Sequence, residues 1–291
     1  MKPKNWPWWR IKAINLQEFR RQLYEKLRQG RIDAPENTSL ILLCHVLDQP
    51  KSWILAHGDY VLNQEETQIL KKYQSQLLEG TPLPYLLGLW EFYGRRFKIT
   101  PDVLIPRPET EILVERAIQC VKDEVQPKIA DVGTGSGAIA VTLAAEQPAA
   151  QILATDISRP ALKIAKINAG RYAKTRIHFV QSHLLKPIYM QFDLICANLP
   201  YIPTNTLQGL DVLEHEPRVA LDGGESGLKL IEELLNQAQT RLKPWGTILL
   251  EIEATLGKQV LALAQSTFSK AQVNLHQDLA GKDRLVEIRQ P

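Results

Sequence analysis

The stretch Asp131-Val-Gly133-Thr-Gly135-Ser-Gly137-Ala138 decides how the chain folds. It stands between a short apolar run at 128–131 and an alanine-rich run at 138–146, so it reads as the loop from a strand into a helix. Its glycines let the backbone turn sharply and bring N–H groups close to a ligand at the helix N-terminus. Nineteen residues beyond Gly137, at the end of the next expected strand, stands Asp156. A carboxylate there can accept both hydroxyls of a ribose. Gly133, Thr134, Gly135, Ser136, Gly137 and Asp156 are therefore expected to hold a nucleoside-bearing cofactor. The same string also satisfies G-x-G-x-x-A, the pattern of a dinucleotide enzyme, and does not by itself separate the two.

Outward from this loop, strands and helices alternate from Glu111 to the end of the chain, which predicts an α/β sheet. Strands are expected at 128–131, 151–155, 176–181, 192–197, 246–252, 271–275 and 284–288. Helices are expected at 138–146, 158–168, 228–242 and 256–268. The first ninety residues have a different rhythm. Asn15 with Glu18 and Asn63 with Glu66 have the spacing of capping boxes. Stripes at Leu16, Phe19, Leu23, Leu27 and at Ile69, Leu70, Tyr73, Leu77 run to Gly30 and Gly80. With the apolar run 40–47, they predict a small helical bundle. The expected division is a helical domain at 1–90, a hairpin linker at 91–108 and a catalytic domain at 109–291. Trp6, Trp8 and Trp9 are expected to form a strap whose indoles bury on the domain behind them. His45 and His57, each alone on a helical segment, are expected to be packed or solvated.

The 291 residues suffice for two compact units. A net charge of +3 argues against a broad nucleic-acid surface, which needs a clear basic excess. Cys44, Cys120 and Cys196 are far apart and form no C-x-x-C, so reduced thiols are expected. No apolar run reaches membrane-spanning length and the N-terminus has no signal-like core, so a soluble, cytoplasmic protein is expected; a monomer is expected as well, though nothing in the sequence fixes the oligomeric state.

The chemistry is read from Asp193-Leu-Ile-Cys-Ala-Asn198-Leu199-Pro200-Tyr201. An apolar strand ends here in a polar side chain, a residue held extended by the following proline, and an aromatic. That puts the group at the carboxyl edge of the sheet, where α/β folds bind ligands. The stretch resembles the strand end of amino-methyltransferases that carry Asn/Asp-Pro-Pro-Tyr and use S-adenosylmethionine. The resemblance implies that Asn198 Oδ1 and the Leu199 carbonyl accept hydrogen bonds from a target –NH₂, with Tyr201 packing on its face. An amide nitrogen is a poor nucleophile; two acceptors orient it and stabilise the charge it gains. Leu199 stands where the motif has its first proline. The contact runs through a carbonyl that leucine also has, and Pro200 keeps the backbone extended.

The resemblance extends to Glu79-Gly-Thr-Pro-Leu-Pro-Tyr-Leu-Leu-Gly88, Glu91-Phe92, Leu104-Ile-Pro-Arg-Pro-Glu-Thr-Glu111 and Glu216-Pro-Arg-Val-Ala-Leu221. Together these look like the HemK/PrmC family, protein-glutamine N5-methyltransferases that modify class I peptide chain release factors. The family pattern implies a helical N-terminal domain, a hairpin linker and a Rossmann-like methyltransferase domain. Its implied substrate is the glutamine of the release factor's Gly-Gly-Gln loop. At His183 the family often has an acidic residue facing the adenine amino group, and at Leu184 often an aromatic; either a neutral His183 nitrogen accepts the adenine amino hydrogen, or His183 is solvated and the adenine is held by packing and backbone.

Three rival readings stay open on the sequence: a nicotinamide oxidoreductase, a nucleic-acid adenine N6-methyltransferase, and a non-catalytic protein that only binds release factor. Glu214-His-Glu216 is too compact for a metal site. Cys196 is expected as strand filler, and the loop 202–226 as a lid over the substrate.

Overall fold

The computed structural model describes residues 14–173 and 176–291. The expected tryptophan strap at Trp6, Trp8 and Trp9 lies outside the described residues. The chain divides into two compact units, Met1–Leu87 and Gly88–Pro291.

The first unit is helical: α1 Leu16–Gln29, α2 Pro35–Leu47, α3 Lys51–Ala56, α4 Gln64–Leu78 and α5 Leu83–Leu87. Asn15 Oδ1 caps α1 by accepting the Glu18 N–H at 2.9 Å. Asn63 and Glu66 form a reciprocal capping box on α4, which satisfies two N–H groups that the helix itself leaves open. Leu16, Phe19, Leu23 and Leu27 of α1 are buried, as are Leu70 and Leu77 of α4, whereas Ile69 sits at the exposed edge of its stripe. The short α3 was not anticipated. It stacks Trp53 on His57, whose ring nitrogen also meets the Trp53 carbonyl. Both His45 and His57 are thus engaged in local packing, His45 with Tyr73.

The second unit opens with a hairpin, β1 Leu89–Phe92 and β2 Arg95–Lys98. Tyr93 and Gly94 turn it with positive φ at both positions, the geometry that matches strand twist in a two-residue turn. The hairpin lies within this second unit. Asn168, fully buried, accepts the Lys98 N–H and donates to the carbonyls of Lys98 and Ser136. One amide therefore binds the hairpin to the glycine loop.

There follow α6 Thr110–Val121, β3 Lys128–Val132, α7 Ala138–Glu146, β4 Gln151–Asp156, α8 Arg159–Tyr172, β5 Ile177–Gln181 and β6 Phe192–Asn198. The unit continues with α9 Thr204–Leu207, α10 Lys229–Ala238, β7 Leu242–Glu251, α11 Gly257–Thr267, β8 Gln272–Gln277 and β9 Asp283–Arg289. The seven-stranded sheet has the order β5-β4-β3-β6-β7-β9-β8, with β9 antiparallel to both its neighbours and the rest parallel. Its central strands are apolar on both faces and buried on both, as parallel strands covered by helices must be. From β3 the chain winds outward through β4 and β5, then returns to β6 on the other side. That reversal opens a crevice at the carboxyl ends of β3 and β6.

Candidate active site

The glycine loop leaves β3 over a buried carboxylate. Asp131 Oδ2 accepts the Thr134 hydroxyl at 2.6 Å and the Ala140 N–H at 3.0 Å. Its Oδ1 has no partner among the described residues, and burial pushes the carboxyl up to about 6. The N–H groups of Gly133 and Thr134 both bond the Thr155 carbonyl at 2.9 Å, which ties the loop to β4. Asp156, at the end of β4, accepts the Gly135 N–H on one oxygen and the Ser158 N–H on the other, each at 2.8 Å. Burial raises its carboxyl above the ordinary range.

Gly133, Thr134, Gly135, Ser136 and Asp156 line a cleft of about 490 Å³, together with Asn198, Leu199, Pro200, His183 and Leu184. Gly137, expected among the cofactor-binding residues, is not on this wall. A Cβ there would sit 3.1 Å from that of Ala165, so its place is set by the close packing of α7 on α8.

On the other side of the reversal, β6 carries Asn198 to the cleft. Asn198 Nδ2 donates to Thr110 Oγ1 at 3.2 Å, so Oδ1 is the end of the amide left to the cleft. Leu199 is buried, 4% exposed, with Cδ2 only 3.0 Å from where a Cβ on Gly133 would lie. Its side chain thus fills the space between strand end and glycine loop, and packing replaces the rigidity of the motif's missing proline. Tyr201, expected over the target group, is half-buried and lies off the cleft wall, within reach of the charges of Glu251, Arg107 and Arg284.

The loop after Tyr201 closes back on it. Ile202 N–H bonds the Leu221 carbonyl, the Gly223 N–H bonds the Ile202 carbonyl at 2.8 Å, and Thr204 N–H bonds Gly224. A Cβ on Gly223 would lie 2.8 Å from the Pro200 carbonyl oxygen and from the Tyr201 Cα, so only glycine lets the two backbones approach. Arg218, Val219, Ala220 and Asp222 form an outer stretch of the cleft wall. Glu216, 5% exposed, accepts from the Arg107 guanidinium and from the Ile105 N–H. The Ile-Pro-Arg-Pro and Glu-Pro-Arg segments, a hundred residues apart, are therefore one structure.

The structure gives His183 a partner that the sequence did not show. Its Nε2 pairs with Glu233 Oε2 of α10 at 2.6 Å. A carboxylate only accepts, so Nε2 is a donor there, which leaves Nδ1 as the acceptor of the neutral ring. Leu184 is buried, with φ +52. Cys196 is buried inside β6, and burial holds its thiol well above the ordinary range, as strand filler should be.

Sequence reasoning missed Thr110 and Glu251. Glu251 ends β7 directly beside Asn198 in register, 6% exposed. Burial pushes its carboxyl up to about 7, against the pull of hydrogen bonds from Thr110 and Asn198. The signal was present: Thr247-Ile-Leu-Leu-Glu251 is an apolar strand ending in a polar residue, the pattern that singled out Asn198.

With this geometry established, the chain can be compared with known proteins. Residues 18–88 match the PrmC N-terminal domain and residues 110–215 the Methyltransferase small domain. The chain is 37% identical to the release factor glutamine methyltransferase of Coxiella burnetii, over 92% of this chain and 95% of that one. It is 40% identical to the protein of the same name from Thermosynechococcus vestitus, over 77% and 80%. Among solved structures, a 16S rRNA methyltransferase of T. thermophilus, in complex with AdoMet and guanosine, superposes with a TM-score of 0.52. It is 17% identical and covers 70% of this chain and 50% of that one, a likeness of fold.

Proposed function

The chain belongs to the release factor glutamine methyltransferase family, and on that premise we propose that its cleft methylates the side-chain amide nitrogen of a release-factor glutamine, using S-adenosylmethionine. The observation that carries this reading is the single cleft shared by the glycine loop, Asp156 and Asn198. The residues fit the cofactor. Asp156 keeps lone pairs beyond its bonds to the Gly135 and Ser158 N–H groups and can receive the ribose hydroxyls. The loop is a cradle in which Gly133 holds φ +77 close beside Leu199, a backbone conformation that side chains disfavour. The apolar wall at Ile139, Ile157 and Leu184 suits a purine. When bound, S-adenosylmethionine supplies an electrophilic methyl that the amide nitrogen takes, the sulfur keeping the bonding pair and the nitrogen giving up a proton.

The protein's own contribution is orientation and charge. Asn198 Oδ1 and the Leu199 carbonyl are two acceptors on adjacent residues, which a primary amide can satisfy with its two N–H groups. As the nitrogen gains positive charge those bonds strengthen, so they favour the transition state over the ground state. Burial of Leu199 against the glycine loop fixes acceptor and cofactor wall relative to each other.

The target is taken to be the Gly-Gly-Gln loop of class I factors, with the helical unit contributing to recognition of the factor. The net charge of +3 supports a protein target over a nucleic acid. No helix among the described residues is long and apolar enough to cross a membrane. The reading takes the enzyme as a cytoplasmic monomer. Mass spectrometry of a class I release factor, before and after incubation with this protein and S-adenosylmethionine, tests it. A gain of one methyl group on the Gly-Gly-Gln glutamine is expected; an unmodified factor would overturn it.

A further inference from the structure

We infer that Thr110 and Glu251 are positioning residues for the methyl acceptor: they hold the Asn198 amide with its oxygen toward the cleft and so set the site for a group bearing two N–H donors. The inference rests on the functional reading above and assigns work to two side chains which that reading leaves idle.

Asn198 ends β6, Glu251 ends β7, and the two are register partners at the carboxyl edge. Thr110 opens α6, immediately after the Ile-Pro-Arg-Pro-Glu segment. Both Thr110 and Glu251 are more than nine-tenths buried, at 4% and 6% exposure. Glu251 Oε2 has no partner among the described residues. A buried carboxylate left half-satisfied costs free energy, so its retention calls for a use.

The hydrogen-bond roles follow from donor and acceptor inventories. Thr110 Oγ1 receives the Asn198 Nδ2–H, so its own hydrogen must go elsewhere. The Glu251 carboxylate, the register neighbour of Asn198, is the acceptor at hand, and Thr110 and Asn198 both favour its charged form. An ionised carboxylate donates nothing. Were the Asn198 amide turned over, Oδ1 would face the Thr110 and Glu251 oxygens and Nδ2 would face the cleft. The site would then present a donor to the target and repel the –NH₂ it must hold. With Glu251 ionised and taking the Thr110 hydroxyl hydrogen, that orientation is disfavoured. A glutamine amide, with two N–H groups, matches the resulting pair of acceptors, whereas a glutamate carboxylate offers only acceptors.

The test compares wild type, Thr110→Val, Thr110→Ser, Glu251→Gln, Asn198→Ala and the double variant Thr110→Val/Asn198→Ala. Readouts are kcat on a class I release factor, calorimetric affinity for S-adenosylmethionine, and the affinity ratio for Gly-Gly-Gln over Gly-Gly-Glu peptides. Thr110→Val, of the same shape without the hydroxyl, should lower kcat roughly 10–100-fold and draw the peptide ratio toward one, with cofactor affinity within about twofold. Thr110→Ser should recover kcat to within about threefold, since the hydroxyl returns. In the Asn198→Ala background Thr110→Val should cost less than about twofold, because residues acting through one another are not additive. Glu251→Gln, which can present either a donor or an acceptor, should fall between wild type and Thr110→Val. The full Thr110→Val loss persisting without Asn198, or an unchanged kcat and peptide ratio, would overturn the inference while leaving the enzyme's activity in place. A wild type that transfers no methyl to the factor would instead overturn the functional reading, and this inference with it.

Discussion

The Arg107 guanidinium donates into the carboxylate of Glu216, a residue 109 positions later that the fold buries to 5% exposure. Glu216 also accepts the Ile105 N–H, so a single carboxylate fastens the segment before α6 to the loop that carries the outer cleft wall. The two partners differ in environment: the Arg107 side chain is 40% exposed and that of Glu216 only 4%. Removing Arg107 leaves a buried carboxylate with one N–H partner, at a cost of about 3–5 kcal/mol. Removing Glu216 lets the arginine turn to water and strands only the Ile105 N–H, about 1–3 kcal/mol. Denaturant titration should therefore find Arg107→Ala the less stable variant. The reverse order would show that Glu216 is held by something other than this pair.

Asn198→Ala should reduce kcat on the release factor by roughly 10²–10³, about 3–4 kcal/mol, as loss of one preorganised polar group does elsewhere. Its amide touches Thr110 and the cleft, not the glycine loop, so S-adenosylmethionine affinity should change far less. Turnover close to wild type would remove Asn198 from the role given to it.

Asp156→Ala should weaken S-adenosylmethionine binding by about 1.5–3 kcal/mol, the worth of a hydrogen bond to a charged group. The structure adds a second effect. Asp156 also holds the N–H groups of Gly135 and Ser158, so its loss loosens the loop itself. Asp156→Asn, which keeps one oxygen acceptor, should retain part of the affinity. Calorimetry on both variants checks this, and unchanged affinity in Asp156→Ala would place the ribose elsewhere.

Gly223→Ala tests the back of the strand end. The added Cβ would sit 2.8 Å from backbone atoms of Pro200 and Tyr201, which must shift. Misplacement of a positioned acceptor by about 1 Å can cost on the order of 10²-fold in rate. A folded Gly223→Ala protein with kcat reduced about that much and cofactor affinity near wild type is expected. A variant as active as wild type would mean that residues 221–227 do not set the geometry of Asn198-Leu-Pro-Tyr.

Much of this was legible in the residues, for identifiable reasons. The glycine loop and Asp156 stand at strand ends, where position along the chain and position in the fold coincide. Asn198 stood out because a polar side chain ends an apolar run. Glu251 ends β7 in the same way, but its meaning depends on β7 lying beside β6, and strand order is not written in periodicity. The partnership of His183 with Glu233 likewise spans fifty residues and two elements. Helix α6 was legible too, since Leu113, Val114, Ala117 and Val121 recur at helical spacing with Glu115 and Arg116 on the opposite face, and the expected helices omit it. Gly137, placed with the ligand by its motif, also packs against Ala165, a contact between helices that the motif does not show.

Glu251 gives the last prediction, in which stability and activity respond to pH in opposite directions. Burial raises its carboxyl from an ordinary 4.5 to about 7, so the folded protein favours the neutral form. Between pH 4.5 and 7 the folded state then binds more protons than the unfolded one, and stability falls as pH rises through that window. Glu251→Gln removes the titration. Its melting temperature relative to wild type should therefore climb from pH 5 to pH 8. Asp131, raised in the same sense, is common to both proteins and cancels in the difference. Activity should run the other way, since only the ionised carboxylate obliges the Thr110 hydroxyl to donate toward it. Wild-type kcat should rise through about pH 7, and that limb should be absent in Glu251→Gln. The charged and titratable groups near Glu251 are Glu109, Arg284 and Tyr201. Glu109 adds to the upward push and Arg284 opposes it, so Glu109→Gln should move the limb to lower pH. Melting curves and kcat profiles from pH 5 to 8 on the three proteins decide the matter. A melting difference that stays flat across the range would show that Glu251 is ionised throughout, and the limb would then need another owner.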